Sequence, residues 1–317
     1  MKQTHTITWL IFHEPVQLFL ETAEHFKKEL LRLTDGRINV DIVTLDEYAQ
    51  KNNISVVDAY SEISKNNIQM SQMYVDNCGY ASATDFFCLG LPFLFRDHDH
   101  ATNVLEGEIG KNLLNYLGKK TEMQGLAFTY SGGYRCVASD TPIHTVEEFK
   151  NKKVFARTNP VYKEMFDHLG CEQTRNYELE NINDEVNKND ANMCQTTFRR
   201  FEVEAGENHK YIINTEHSMY LTTIVANHTF LESLSVEDRL LIEEASLLAA
   251  RTERHKSVAD GELIRTSRQE QDALGIQEVI EWPQSEKDKL KTIWTPLVEK
   301  YKNIFSTGLV DSIINTK

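Results

Sequence analysis

The sequence predicts an α/β protein of two lobes, and three observations carry that prediction. Residues up to 45 read strand, helix, strand, and further short strand patterns alternate with helical ones along the chain. A stretch of roughly 40 residues, from Ser235 to about Leu274, reads as one helix without proline, far beyond the usual mean of about 11–12. At roughly 1.5 Å per residue it would reach about 60 Å and could bridge two lobes. The length of 317 residues also fits the prior for about two domains.

The elements follow in order. Thr6 to Phe12 is rich in Ile, Trp and Phe, as a buried strand is. After Pro15, the residues Val16, Phe19, Ala23, Phe26, Leu30 and Leu33 recur at spacings of three and four, which gathers one apolar helix face. Gly36 tolerates the left-handed conformation that closes such a helix, and Ile38, Val40 and Ile42 then alternate as a second strand. Short connections make this a βαβ unit with a right-handed crossover. Further strands are expected at 68–74, 125–130, 134–138, 153–156 and 219–226. Thr145 and Glu148 have capping-box spacing and open a helix; another runs over 161–169 and stops at Gly170. Trp282, Trp294 and an amphipathic segment over 297–309 end the chain. The expected lobes are 1–132 with 222–258, and 133–221 with 259–317.

Composition excludes several classes. The chain is 40% hydrophobic and 26% charged, with a mean hydropathy of −0.45, an ordinary globular balance. Its longest apolar run is Ile7 to Phe12, interrupted by Thr8, far short of the roughly 20 residues of a membrane span. Asp and Glu number 48 against 34 Lys and Arg, a net charge of −14 and a pI near 5.3. That field repels a phosphate backbone, and no basic patch offsets it. Five cysteines without a CxxC spacing read as isolated, mostly buried thiols rather than a disulfide framework or zinc site. The opening MKQTHTITWLIF makes a poor signal peptide, so the chain is either cytoplasmic or a processed chain with an added methionine.

Motifs for catalysis are absent: there is no GxGxxG, GxxxxGK[ST], HExxH or GxSxG. His98 and His100, with Asp97 and Asp99 in RDHDHA, read as a solvated loop or helix start rather than a metal site, which needs three or four ligands. Arginines at strand ends carry more. Arg135 lies in SGGYRCVAS, Arg157 in KKVFARTNP, and Arg199 and Arg200 in CQTTFRRF. Facing a cleft in an acidic protein they would form a local anion site, since guanidinium clamps carboxylate bidentately. The alternative is surface arginines paired with nearby glutamates.

The segments LGLPFLFRDHDHA, GGYRCVASDTPIHTVEEFKNKKVFARTNPVYKEMFDHLG, NTEHSMYLTTIVAN and LESLSVEDRLLIEEA, in that order, resemble the DctP-type substrate-binding proteins of TRAP (tripartite ATP-independent periplasmic) transporters. The resemblance covers essentially the whole chain. It implies the two-lobed periplasmic-binding-protein fold, with a ligand cleft between lobes and a long helix spanning both. It also implies a small organic acid as ligand, delivery to the membrane subunits of a TRAP transporter, no cofactor or metal, a monomer, and a periplasmic location after removal of a signal peptide. Residue by residue, Arg135 matches a position that often contacts the ligand acid. The family's more prominent clamping arginine falls at Phe155, with Arg157 two residues later on the same strand face; an apolar ligand body packing on Phe155 would suit that change. The family's asparagine loop falls at Cys194 or Gln195, in DANMCQTTFRRF, with Thr196 and Arg200 beside it. Phe12, His13, Tyr74 and Asp76 follow strands where the family places first-lobe contacts. From another class, the alternative is an α/β enzyme with a Cys/His site in the interlobe cleft.

Overall fold

The computed structural model describes residues 4–13, 16–55, 61–155, 159–173 and 191–317. The chain divides into two compact units, the first comprising Met1–Thr84, Thr102–Tyr130 and Leu221–His255, the second Asp85–Ala101, Ser131–Tyr220 and Lys256–Lys317.

In the first unit β1 (His5–Ile11) pairs in parallel with β2 (Ile38–Thr44), from His5 opposite Ile38 to Ile11 opposite Thr44. Helix Val16–Leu33 connects them and buries Phe19, Ala23, Phe26 and Leu30, the face its spacing predicts; Trp9 meets Phe26 at 4.9 Å between ring centroids. β3 (Met70–Tyr74) joins β1 in parallel, β10 (Met219–Asn227) runs antiparallel to β3, and β4 (Met123–Tyr134) completes the order β2-β1-β3-β10-β4.

The second unit holds a sheet of order β11-β9-β5-β8-β6-β7. Its strands are β5 (Cys136–Ser139), β6 (Lys153–Phe155), β7 (Glu172–Gln173), β8 (Met193–Thr196), β9 (Tyr211–Asn214) and β11 (Glu278–Glu281). Helix Pro160–His168 meets helix Gln284–Lys302, whose Trp294 donates its indole N–H to the Met165 carbonyl at 2.7 Å. Residues 85–101, expected with the first lobe, pack in the second unit because their polar groups are satisfied there. The Asp85 carboxylate accepts from the Ser306 N–H and hydroxyl, and Arg96 donates to the Ile314 and Thr316 carbonyls.

Two helix expectations are corrected. The long helix is Val236–Thr266, 31 residues, after which Ser267 leaves helical geometry and its hydroxyl caps a short helix, Arg268–Ala273, through the Glu270 N–H. At Thr145 there is only a single 3₁₀ turn, Val146–Phe149, and Thr145 makes no side-chain cap. The Glu286 carboxylate takes the Val146 N–H at 2.9 Å, while Glu148 reaches the His144 N–H at 2.7 Å. The capping box occurs instead at Thr44 and Glu47, opening helix Leu45–Asn52.

No helix among the described residues is long and apolar enough to cross a membrane. None of the five cysteines is in a disulfide; four are buried and Cys171 is partly so.

Candidate functional site

The second unit gathers its buried polar side chains around the start of β5. Near its end β4 passes through Gly132 and Gly133, at φ +93° and +84°, a backbone region that side chains rarely tolerate. A Cβ on Gly132 would lie 2.1 Å from the Thr197 hydroxyl oxygen, so only glycine fits that bend. The chain then enters β5 through Arg135, whose N–H donates to the Ser218 carbonyl at 2.7 Å, just ahead of β10.

Arg135 is 1% exposed, one of the largest fully buried side chains. Its guanidinium carbon lies 3.5 Å from the Tyr220 ring centroid and 4.7 Å from that of Tyr162, contacts in which a ring's negative face attracts the cation. Tyr162 is positioned by helix Pro160–His168, which Asn159 caps by accepting the Val161 N–H at 2.9 Å, with Pro160 as the first helical residue. The planar faces of the cation are thus occupied by aromatic rings. Its Nε and Nη1 donors, however, have no hydrogen-bond partner among the described residues.

Arg200 is equally buried but differently employed. Its Nε donates to Glu204 at 2.8 Å and its Nη1 to the Ser131 hydroxyl at 2.9 Å, and Tyr220 hydroxyl donates to the same Glu204 oxygen at 3.3 Å. The charge of Arg200, expected at the ligand, is thus neutralised within the unit. Arg199, likewise, pairs with Asp260 at 3.2 Å. Glu204 balances Arg200, and nothing among the described residues balances Arg135.

Strand register separates the three adjacent candidates on β8. Cys194 lies opposite Ala138 and Phe155, and Thr196 opposite Cys136, whereas Gln195 lies opposite Val137. Because the side-chain period of a strand is two, Gln195 faces away from its neighbours. Cys194 and Phe155, expected at the ligand, are packed in a core cluster with Cys136, Ala138, Phe198, Phe201 and Ile212. Thr196 donates its hydroxyl to the Thr197 carbonyl at 3.2 Å. Gln195 instead donates its amide to His217 Nε2 at 2.9 Å, and the other ring nitrogen lies 2.7 Å from the Thr215 hydroxyl. Burial first, and then the positive charge of Arg135, push His217 down to about 3, so the ring is neutral. Gln195 Oε1 and Ser218 Oγ have no hydrogen-bond partner among the described residues. Arg157 lies outside the described residues.

In the first unit, Phe12 and His13 follow β1 and Asp76 follows β3, at the carboxyl ends of parallel neighbours, where open α/β sheets bind ligands. His13 stacks obliquely 4.3 Å from Tyr74, and Phe19 meets Tyr74 edge-on at 5.7 Å. Asp76 is buried in the first turn of helix Val75–Tyr80. His13 and Tyr74 thus lie together at this end of the sheet.

Among the described residues, the Cys/His enzyme alternative finds a close pair at Cys194 and His209, 3.6 Å apart. The thiol is fully buried and donates to the Glu204 carbonyl, while His209 accepts the Gly206 N–H on Nδ1 and bonds the Ala191 carbonyl through Nε2. Both ring nitrogens are thus engaged by backbone. In RDHDHA, a helix starts at His98; His100 accepts the Arg96 N–H and bonds the Ile313 carbonyl. No group of three or more His, Cys, Asp or Glu placed to hold a metal occurs among the described residues.

Sequence reading missed Tyr162, Tyr220, His217 and Ser218. Tyr162 sits in a helix run and Tyr220 in a strand run, where both read as core; only their pairing around one arginine, a tertiary fact, marks them.

Comparison with known proteins then places the chain. The profile described as "Bacterial extracellular solute-binding protein, family 7" (DctP) matches residues 13–176, just over half of the chain. The C4-dicarboxylate-binding periplasmic protein DctP of Rhodobacter capsulatus is 25% identical over 150 residues, 47% of this chain and 43% of that protein. The chain matches between a quarter and a half of the length of its first curated relatives. Two solved TRAP periplasmic solute-binding proteins share the fold. That of Pseudomonas putida F1, with bound D-glucuronate, has a TM-score of 0.80 at 20% identity, covering 98% of this chain and 97% of its own. That of Ralstonia eutropha H16, with bound (S)-2-acetolactate, has a TM-score of 0.80 at 20% identity, covering 98% of each chain.

Proposed function

The chain belongs to family 7 of the bacterial extracellular solute-binding proteins, and on that premise we propose that it captures a small organic acid and delivers it to the membrane subunits of a TRAP transporter. The observation that carries the ligand class is Arg135: a buried guanidinium with aromatic rings on its faces and two donors that have no partner among the described residues. A charge so placed is costly unless an anion completes it. A carboxylate supplies two acceptor oxygens in the geometry that guanidinium matches. The carboxylates bound to the Pseudomonas and Ralstonia proteins support the same class.

The protein acts by binding alone, makes no covalent change, and works as an extracytoplasmic monomer whose targeting segment is removed. Gln195 and Ser218 are further polar contacts in this reading, and Phe12, His13, Tyr74 and Asp76 are kept as contacts on the strength of the sequence match. Arg157 is retained as a contact on the strength of the sequence match alone.

Two measurements test this. Small molecules extracted from the purified protein, identified by mass spectrometry, should be carboxylic acids recovered unchanged. A melting screen across mono- and dicarboxylates, keto acids, sugar acids and aromatic acids should give one narrow group of hits, since a ligand at 100 times its dissociation constant stabilises by about 2.7 kcal/mol. Shifts from neutral sugars or cations only would refute the acid reading, and turnover of a bound ligand would refute the binder.

A further inference from the structure

We propose that the first unit holds a second ligand site, separate from Arg135, that takes an unbranched aliphatic acid, with its carboxylate on Arg239 and its chain along a leucine-lined groove. Arg135 belongs to the second unit, so nothing in this inference rests on the reading of that residue.

A cavity of about 760 Å³ lies wholly within the first unit. It is bounded by helix Val236–Thr266, helix Glu108–Lys120 and β4, which the strand order leaves at the edge of its sheet. Leu240, Glu243, Leu247, Arg251 and Arg254 line it at spacings of three and four, so one face of the long helix forms a wall. At roughly 1.5 Å per residue that wall runs about 20 Å, which makes the cavity an elongated groove. Leu105, Leu114, Leu231 and Phe128 add buried side chains to it, and Leu240 is left 57% exposed. Leucines make most of its apolar wall, and a flexible chain follows a groove of that length.

Three arginines line the groove, and the fold engages two of them. Arg254 donates to the Phe128 carbonyl at 2.6 Å and to Glu106, and Arg251 donates to the same carboxylate through Nε and Nη2. Arg239 is half-buried, and its Nε is sealed from water without a hydrogen-bond partner among the described residues. Glu243, one turn on, attracts it without a hydrogen bond to Nε, and burial holds that carboxyl above its ordinary range. Arg239 also stands in the first turn of the long helix, where a cation opposes the helix dipole. A carboxylate beside it relieves both conditions: it accepts from the guanidinium and brings negative charge to the helix start. Glu232, Glu243 and Glu244 are exposed along the groove. An anionic bilayer would set many headgroups against those carboxylates, whereas a dissolved acid sets one charge against Arg239, so the dissolved acid is the occupant.

The test titrates unbranched alkanoates of four to twelve carbons into the protein, below their micelle-forming concentrations, beside 1-decanol and decyltrimethylammonium. Calorimetry should show affinity rising about twofold to fourfold with each added methylene. Decanoate should bind at least about tenfold tighter than either of the other decyl compounds. Arg239→Leu should bring decanoate and decanol to within about twofold of each other. Leu240→Glu, at an exposed position, should weaken decanoate by at least about tenfold. Arg135→Met should leave decanoate binding intact. Affinity independent of chain length, equal binding of decanoate and decanol, or tighter binding of decyltrimethylammonium overturns the inference. Decanoate binding that Arg135→Met abolishes and Arg239→Leu spares also overturns it, by placing the chain at Arg135. Phosphatidylglycerol vesicles should not co-sediment the protein; co-sedimentation that Arg239→Leu removes would make the occupant a bilayer and overturn the dissolved acid.

Discussion

Two buried arginines in the second unit touch the same tyrosine and have opposite fates. Arg200 is engaged by the fold: Glu204 balances its charge and Ser131 takes a further donor. Arg135, equally buried, meets two aromatic rings and keeps two donors without a partner among the described residues. Residue type and burial are the same, so neither identifies a site. What distinguishes them is whether the chain has already supplied the counter-charge. β8 shows a similar division along its length: Cys194 and Thr196 are engaged by packing and backbone, and Gln195 between them has an acceptor without a partner among the described residues.

The largest stability losses should come from disturbing the closed members of these pairs. Glu204→Ala leaves Arg200 buried and unbalanced and should cost about 3–5 kcal/mol, read from denaturant unfolding of the unliganded protein. Phe155→Ala should cost a similar amount, about 3–5 kcal/mol, by opening a cavity in the core cluster. An affinity change without loss of stability would instead return Phe155 to the ligand site. A smaller effect is expected from pH. His217 titrates in the folded state near 3, well below its ordinary value of 6.5, so between those values the unfolded chain holds more protons. Stability should therefore fall as pH is lowered through that window, by up to about 1.4 kcal/mol per unit from this residue. His98 and His209 are shifted downward by burial too and act in the same direction. His217→Gln should make the slope between pH 6 and 5 shallower; an unchanged slope would mean that this ring does not titrate as described.

Much of the fold is legible because its signals are local. The apolar spacing of Phe19, Ala23, Phe26 and Leu30 and the alternation of Ile38, Val40 and Ile42 suffice for the βαβ unit, and Gly132 and Gly133 mark the bend ahead of Arg135. The misreadings turn on partners distant in sequence. Thr145 and Glu148 have the spacing of a capping box, yet the Glu148 carboxylate accepts the His144 N–H and Glu286, far along the chain, accepts the Val146 N–H. The end of the long helix was signalled by Ser267 and Glu270, a cap spacing inside an apparently continuous run. For the site, a strand-end arginine in an acidic chain is enough to single out Arg135, but not to separate it from Arg200, since the difference is Glu204. Choosing Gln195 over Cys194 and Thr196 requires the register of β8 against β5, which the sequence of either strand does not contain.

The central claim is that Arg135 is left unbalanced so that an acid can balance it. Arg135→Met tests it, since methionine keeps much of the buried volume and removes the charge. Isothermal titration with the acid identified from the purified protein should show affinity falling by roughly 30-fold to several thousand-fold, as expected when one member of a desolvated charge pair is lost at about 2–5 kcal/mol. The empty variant should melt no lower than the unaltered protein, because an uncompensated buried charge is gone. Full-strength acid binding by Arg135→Met would contradict the account.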